Sequence, residues 1–216
     1  MNSVLSLLLL ACATEWVSLQ PYPNPFDANE PVRDKPLEVL VVGDTAVVSL
    51  QGSVDAPGNA VALVDLTDGS VRRVEVGSSP TGLALHPDGH IVVFNRFSNW
   101  ASVVDVDAGR EVERWPMDFY AIEGAYDSDG ALWVSNRWRD TVQVRGGEVP
   151  VGVNPRDVAV GEDVVAVAAL TEGTVSLVDR RERTPLYTVD LGAPANGLAL
   201  VGDWLVVATM SASTHH

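Results

Sequence analysis

From Leu37 onward the chain consists of short apolar or alternating runs, broken by turn residues at regular spacing. That pattern marks many short strands. The clearest unit reads Pro80-Thr81-Gly82-Leu83-Ala84-Leu85, turn His86-Pro87-Asp88-Gly89, strand His90 to Arg96, loop, then Ala101 to Asp105. It recurs as Ile122 to Ala125, turn Asp127-Ser128-Asp129-Gly130, strand Leu132 to Arg137 and Thr141 to Val144. It recurs again as Pro155 to Val160, turn Gly161-Glu162-Asp163, strand Val164 to Ala168 and Thr174 to Asp179. A looser copy precedes these, with Val39 to Val42, turn Gly43-Asp44, Ala46 to Leu50 and Ala60 to Asp65. A final copy opens with Pro194 to Leu200, turn Gly202-Asp203 and Trp204 to Ala208. Glycine beside aspartate between paired strands is tight-hairpin chemistry, because glycine accepts positive φ. Fourth strands are expected at Ser70 to Val76, Glu111 to Met117 and Pro185 to Leu191.

The spacing fixes the repeat. Pro155 follows Pro80 by 75 residues and Pro194 follows Pro155 by 39. A period near 40 with four strands per unit is the signature of a β-propeller blade. The expected fold is therefore all-β, a propeller of four-stranded antiparallel blades. Blades are expected over about 37–77, 78–119, 120–152 and 153–193, with a partial blade over 194–216. Four and a half blades predict an incomplete, open ring and a fragment of a longer one. They also predict an unpaired edge at Trp204 to Ala208, which the segment around Trp16 could cover with one strand.

These residues resemble a known family. Val134-Ser135-Asn136-Arg137 and Thr141-Val142, placed after Asp129-Gly130, look like the YVTN-type bacterial propeller repeat. So does the recurrent Pro-x-x-Leu/Val-Ala-Leu/Val opening. The likeness covers about residues 37 to 210. The chain departs from the family tetrad at Phe94-Asn95 and at Ala168. The resemblance implies the fold and no single activity, since the family includes surface-layer proteins, haem propellers and secreted proteins.

Upstream, Val4 to Ala11 form an apolar run too short to span a bilayer. It reads as a signal-peptide core. Its end, Leu9-Leu10-Ala11-Cys12, is similar to a lipoprotein lipobox, with Cys12 as the lipidated residue. The n-region carries no Lys or Arg, so ordinary secretion and a buried strand stay open. Residues 13–36 are proline-dense and suit an extended tether. An exported protein, in the periplasm or at the cell surface, is expected.

Charge narrows the partners. The 216 residues hold 14 Lys+Arg against 29 Asp+Glu, a net charge of −15. Such a surface repels phosphate backbones, so nucleic acid is excluded as a partner. Membrane contact is expected only through Cys12. As the single cysteine, Cys12 also rules out an internal disulfide, a c-type haem and a cysteine-based zinc site. No cofactor, metal or catalytic constellation is expected.

Loops on a rigid scaffold carry function. On the face expected to bear the ligand, candidate residues are Asn95, Arg96, Trp100, Asn136, Arg137, Trp138, Arg156 and Asn196. Thr81, Phe97 and Arg139 accompany them. Asn95-Arg96 and Asn136-Arg137 repeat at one blade position. Arginine there could gather an anionic ligand, or the asparagine could cap the strand exit while the arginine pairs with a neighbouring blade's carboxylate. Trp100 and Trp138 could stack on a ligand or pack their loops. His86 and His90 flank a hairpin turn and are expected to face solvent. Asp105, Asp107, Asp127 and Asp129 are expected to serve turns, not calcium. The apolar first strands offer little to an axial site.

The reading these features favour is a non-catalytic exported binding or scaffold module at the bacterial cell envelope, taking an unidentified protein or small molecule. The alternatives are the propeller portion of a larger cytochrome- or peroxidase-linked redox protein, and a hydrolase or dehydrogenase using an axial pocket.

Overall fold

The computed structural model describes residues 35–210 and the strand Ser6–Leu9. Cys12, the Trp16 segment and most of the proline-dense stretch lie outside the described residues. Every described element is a strand.

Short β-branched runs between tight turns give four antiparallel sheets of four strands each. After β1 (Ser6–Leu9), the first comprises β2 (Pro36–Val42), β3 (Thr45–Gly52), β4 (Pro57–Asp65) and β5 (Val71–Glu75). The second comprises β6 (Pro80–Leu85), β7 (Ile91–Asn95), β8 (Trp100–Asp105) and β9 (Arg110–Pro116). The third comprises β10 (Ala121–Tyr126), β11 (Leu132–Asn136), β12 (Thr141–Val144) and β13 (Gly147–Pro150). The fourth comprises β14 (Pro155–Val160), β15 (Val164–Ala169), β16 (Thr174–Asp179) and β17 (Pro185–Asp190). A fifth sheet holds β18 (Ala195–Val201) and β19 (Trp204–Thr209). Pro36 opens β2, a strand position that tolerates a missing N–H.

The sheets are blades of a β-propeller. The inner strands β2, β6, β10, β14 and β18 pack each on the next, and among the described residues β18 has no comparable packing on β2. The arc is open. Its two ends expose apolar side chains, Val39 and Val41 on β2 and Val201 and Trp204 on the last sheet.

The expected bare edge at Trp204 to Ala208 is corrected. β1 runs parallel along β19, with Ser6 opposite Trp204 and Leu9 opposite Val207. An unpaired strand edge is a template for any extended segment nearby.

The core lies between blades. Val47, Leu63 and Val74 meet Leu83, Ile91 and Val93 at the first interface. Phe94 meets Ala121 and Val134 at the second, and Trp133 meets Val158 and Val165 at the third. Both aromatic rings are fully buried, and truncating such a side chain costs about 3–5 kcal/mol.

Two recurrent backbone devices shape the loop face. A residue at the end of the second strand, or just after it, donates its N–H to the carbonyl just before the first strand. The pairs are Gln51–Lys35, Arg96–Ser79, Arg137–Tyr120, Leu170–Asn154 and Met210–Pro194, all at 2.8–3.1 Å. In addition, each inner strand slips register once, after Pro36, Pro80, Ala121, Pro155 and Ala195. Such a bulge re-aims a side chain. The third residue of these strands is Glu38, Gly82, Glu123, Asp157 or Gly197.

Candidate functional site

Arg96 and Arg137 follow equivalent strands, β7 and β11, and Arg156 is the second residue of β14. The shared hydrogen-bond frame holds the first two rigidly. Tyr120 donates its N–H to the Arg96 carbonyl at 3.2 Å, and Arg137 donates its own to the Tyr120 carbonyl at 3.1 Å. Three successive blades thus present one guanidinium each. Arg96 and Arg156 lie close enough to Arg137 that their charges, after the larger effect of burial, hold its guanidinium below the ordinary value.

The alternative that Arg96 and Arg137 pair with a neighbouring blade's carboxylate is not met. Among the described residues none of the three makes an ion pair, whereas Arg114, Arg139, Arg180 and Arg181 all do. The Nε of Arg96 is buried without a hydrogen-bond partner. Asp118 takes Arg139 at 3.1 Å and Gln143 at 2.7 Å.

An aromatic cluster adjoins the arginines. The guanidinium carbon of Arg96 lies 4.8 Å from the Phe97 ring and 5.0 Å from the Tyr120 ring. Those two centroids are 5.6 Å apart. Rings sandwiching a guanidinium at these distances would stand nearly twice as far apart, so Phe97 and Tyr120 lie next to each other and do not enclose Arg96 from opposite sides. Phe119 continues the cluster at 4.7 Å from Tyr120, and Trp138 at 6.1 Å. Phe119 is 44% exposed and Trp138 is 74% exposed.

Tyr120 sits at φ +65°, in the left-handed region. Ser79 and Asn154 occupy the equivalent position at +54° and +62°. Asparagine adopts this conformation readily, but a bulky aromatic does so at a cost of about 1 kcal/mol or more. Strain held in place by surrounding structure clusters at functional sites.

Below the arginines, the axis carries carboxyl groups, which corrects the expectation that the first strands offer little there. The bulges turn Glu38, Glu123 and Asp157 inward, where they and Thr81, Arg156 and Asn196 line a cavity of about 260 Å³. Each bulge frees an N–H from its ladder. Leu83 donates to Glu38 at 3.1 Å, and Leu198 donates to Asp157 at 2.6 Å. Glu38 and Glu123 face each other in that cavity closely enough for their charges to interact. Burial first, then the Glu38 charge, raises Glu123 well above the usual carboxylate range. Burial also raises Asp157 and Glu38. Among the described residues no three His, Cys, Asp or Glu are grouped to hold a metal ion.

The remaining candidates separate cleanly. Asn95 and Asn136 are buried at 2% and 0% exposure. Asn95 donates to Trp100 O and Ser102 Oγ, and Asn136 accepts from the N–H groups of Trp138 and Arg139. Both cap strand exits. Trp100 stands apart, its ring beneath Arg114 at 5.0 Å. Thr81 is buried and donates to Ile122 O at 2.7 Å. His86 and His90 share the Asp88 carboxylate and are only about one-third exposed, with His86 edge-on to Trp115 and Tyr126. Asp127 and Asp129 brace their turn and meet Arg180 of the next blade.

A larger cavity, about 870 Å³, opens between the second and third blades beside Trp115, Met117 and Tyr126. The outer strand β13 has only four residues, so the wedge between blades is left unfilled at the rim. The unpaired charges lie on the loop face instead.

Solved structures with the same architecture include virginiamycin B lyase from Staphylococcus aureus, at TM-score 0.69, 13% identity, over 87% of this chain and 65% of that one. Kuenenia stuttgartiensis hydrazine synthase matches at 0.64, with 19% identity, over 84% and 55%. A functionally unknown protein from Desulfotomaculum acetoxidans matches at 0.67, with 14% identity, over 82% and 63%. The chain spans a little over half to just under two thirds of these structures' lengths. At these identities the likeness defines the class, a β-propeller, and nothing finer. No family model matches the chain, and no curated protein matches it.

Proposed function

We propose that the chain is a ligand-binding β-propeller module that captures an anionic small molecule on its loop face. The observation that carries this reading is the convergence of Arg96 and Arg137, neither of them in an ion pair among the described residues, beside Arg156, whose charge also acts on Glu38 and Asp157, in a protein of net charge −15. Like charges brought together and partly desolvated are unfavourable. A carboxylate or other oxyanion relieves the repulsion and accepts the guanidinium N–H donors, in the bidentate geometry that arginine favours. The Asn136-Arg137 repeat supports kinship with YVTN-type propellers, and through it an exported location at the cell envelope.

The test is thermal unfolding of the full chain in rising sodium acetate or inorganic phosphate, with sodium chloride matched for ionic strength. A bound anion stabilises the folded state by RT ln(1 + [L]/Kd). The midpoint rises for the wild type and stays flat for the Arg96→Gln/Arg137→Gln variant. Equal behaviour of the two proteins defeats the reading.

A further inference from the structure

Resting on that reading, we propose that the ligand is an aromatic carboxylate: a planar ring system bearing one carboxylate, held by the arginines at one end and by exposed rings at the other.

The charged half and the apolar half of the site are continuous, and Tyr120 joins them. Its backbone ties the Arg96 loop to the Arg137 loop. Its ring flanks the Arg96 guanidinium at 5.0 Å and the Trp138 ring at 6.1 Å. A simple oxyanion needs only the guanidinium groups. It does not account for Trp138 and Phe119, two large rings left 74% and 44% exposed beside them. Exposed aromatic surface rimmed by polar groups marks a binding patch. Aromatic rings prefer offset-stacked or edge-to-face partners, which a planar ring system supplies and a saturated chain does not.

The geometry of Arg96 points the same way. Its guanidinium already lies beside two aromatic rings, those of Phe97 and Tyr120, which do not enclose it from opposite sides. Strain at Tyr120 is the second, independent sign. The equivalent positions are filled by Ser79 and Asn154, so the fold needs only a left-handed residue there, not a ring.

Titration calorimetry on the full chain, with 2-naphthoate, sodium acetate and inorganic phosphate as probes, decides the matter. The expected result is that naphthoate binds at least about tenfold more tightly than acetate, the stacking contribution expressed as affinity. It also quenches tryptophan fluorescence. In Trp138→Ala, a surface truncation at a residue 74% exposed, the naphthoate-to-acetate affinity ratio falls towards one and the quench is lost. Arg137→Gln weakens naphthoate and acetate alike. If acetate or phosphate binds as tightly as naphthoate, the aromatic assignment is overturned while the anion site stands. If no probe binds, both fall together.

Discussion

The carboxyl of Glu123, on the third blade, fills the space beside Gly82 of the second. A Cβ on Gly82 would lie 2.5–2.6 Å from the Glu123 carboxyl. The absent side chain of the second blade leaves that carboxyl room to come near the Glu38 carboxyl of the first.

Burial of Glu123, and the Glu38 charge beside it, set a pH dependence. The folded state holds the Glu123 proton above the ordinary glutamate value of 4.5, while the unfolded chain releases it there. Stability is therefore greatest below that value and falls as pH rises through the window up to the raised folded value. Glu123→Gln keeps a donor for Glu38 and removes the titration. Urea midpoints of the variant are expected to match the wild type near pH 4.5 and to exceed it at pH 8. Parallel pH profiles would show that Glu123 is not raised in the folded state.

Gly82→Ala is expected to destabilise the wild type by about 1–3 kcal/mol, as overpacking does. In a Glu123→Ala background the space is vacant, so the same substitution becomes neutral or slightly stabilising. A double-mutant cycle by urea denaturation reads the coupling. Additive effects would place the Glu123 side chain elsewhere.

Tyr120→Asn separates stability from binding. The left-handed backbone suits asparagine, as at Asn154, so the relief of strain offsets the lost ring contacts and stability changes by less than about 1 kcal/mol. Naphthoate affinity falls at the same time. A large loss of stability with affinity retained would make the ring a packing element.

Arg180 pins the fourth blade to the third. Its side chain is 5% exposed and meets Asp129 at 2.7 Å and Asp127 at 3.5 Å. Arg180→Met leaves Asp127, also 5% exposed, without its cation. The midpoint of thermal unfolding is expected to fall, and Asp127→Asn in the same chain to recover part of the loss. No recovery would remove the pairing as the cause.

The repeat was legible because strand length, turn chemistry and period all recur in register, from Pro80 to Pro194. Arg96 and Arg137 were legible as chemistry, since arginine recurs at one loop position of an acidic chain, and Arg156 as a further cation on the same face. Their lack of partners was not, because pairing depends on where Asp118 and Glu148 turn, and both are drawn to Arg139. Glu38, Glu123 and Asp157 were missed because the inner strands read as apolar core. The register slip that turns their third residue inward leaves no mark on one strand alone. Setting the five inner strands side by side does show it: Glu, Gly, Glu, Asp, Gly at one position. Phe119 and Tyr120 were missed because they lie in the loop before a strand, without a repeat to single them out.

The most direct measurement is a crystal structure of the full chain soaked with 4-bromobenzoate, with anomalous data collected at the bromine edge. The account predicts the carboxylate among the guanidinium groups of Arg96, Arg137 and Arg156, with the bromine peak beside the rings of Tyr120 and Trp138. A bromine peak elsewhere, or none, with the three arginines turned onto protein carboxylates, would contradict it.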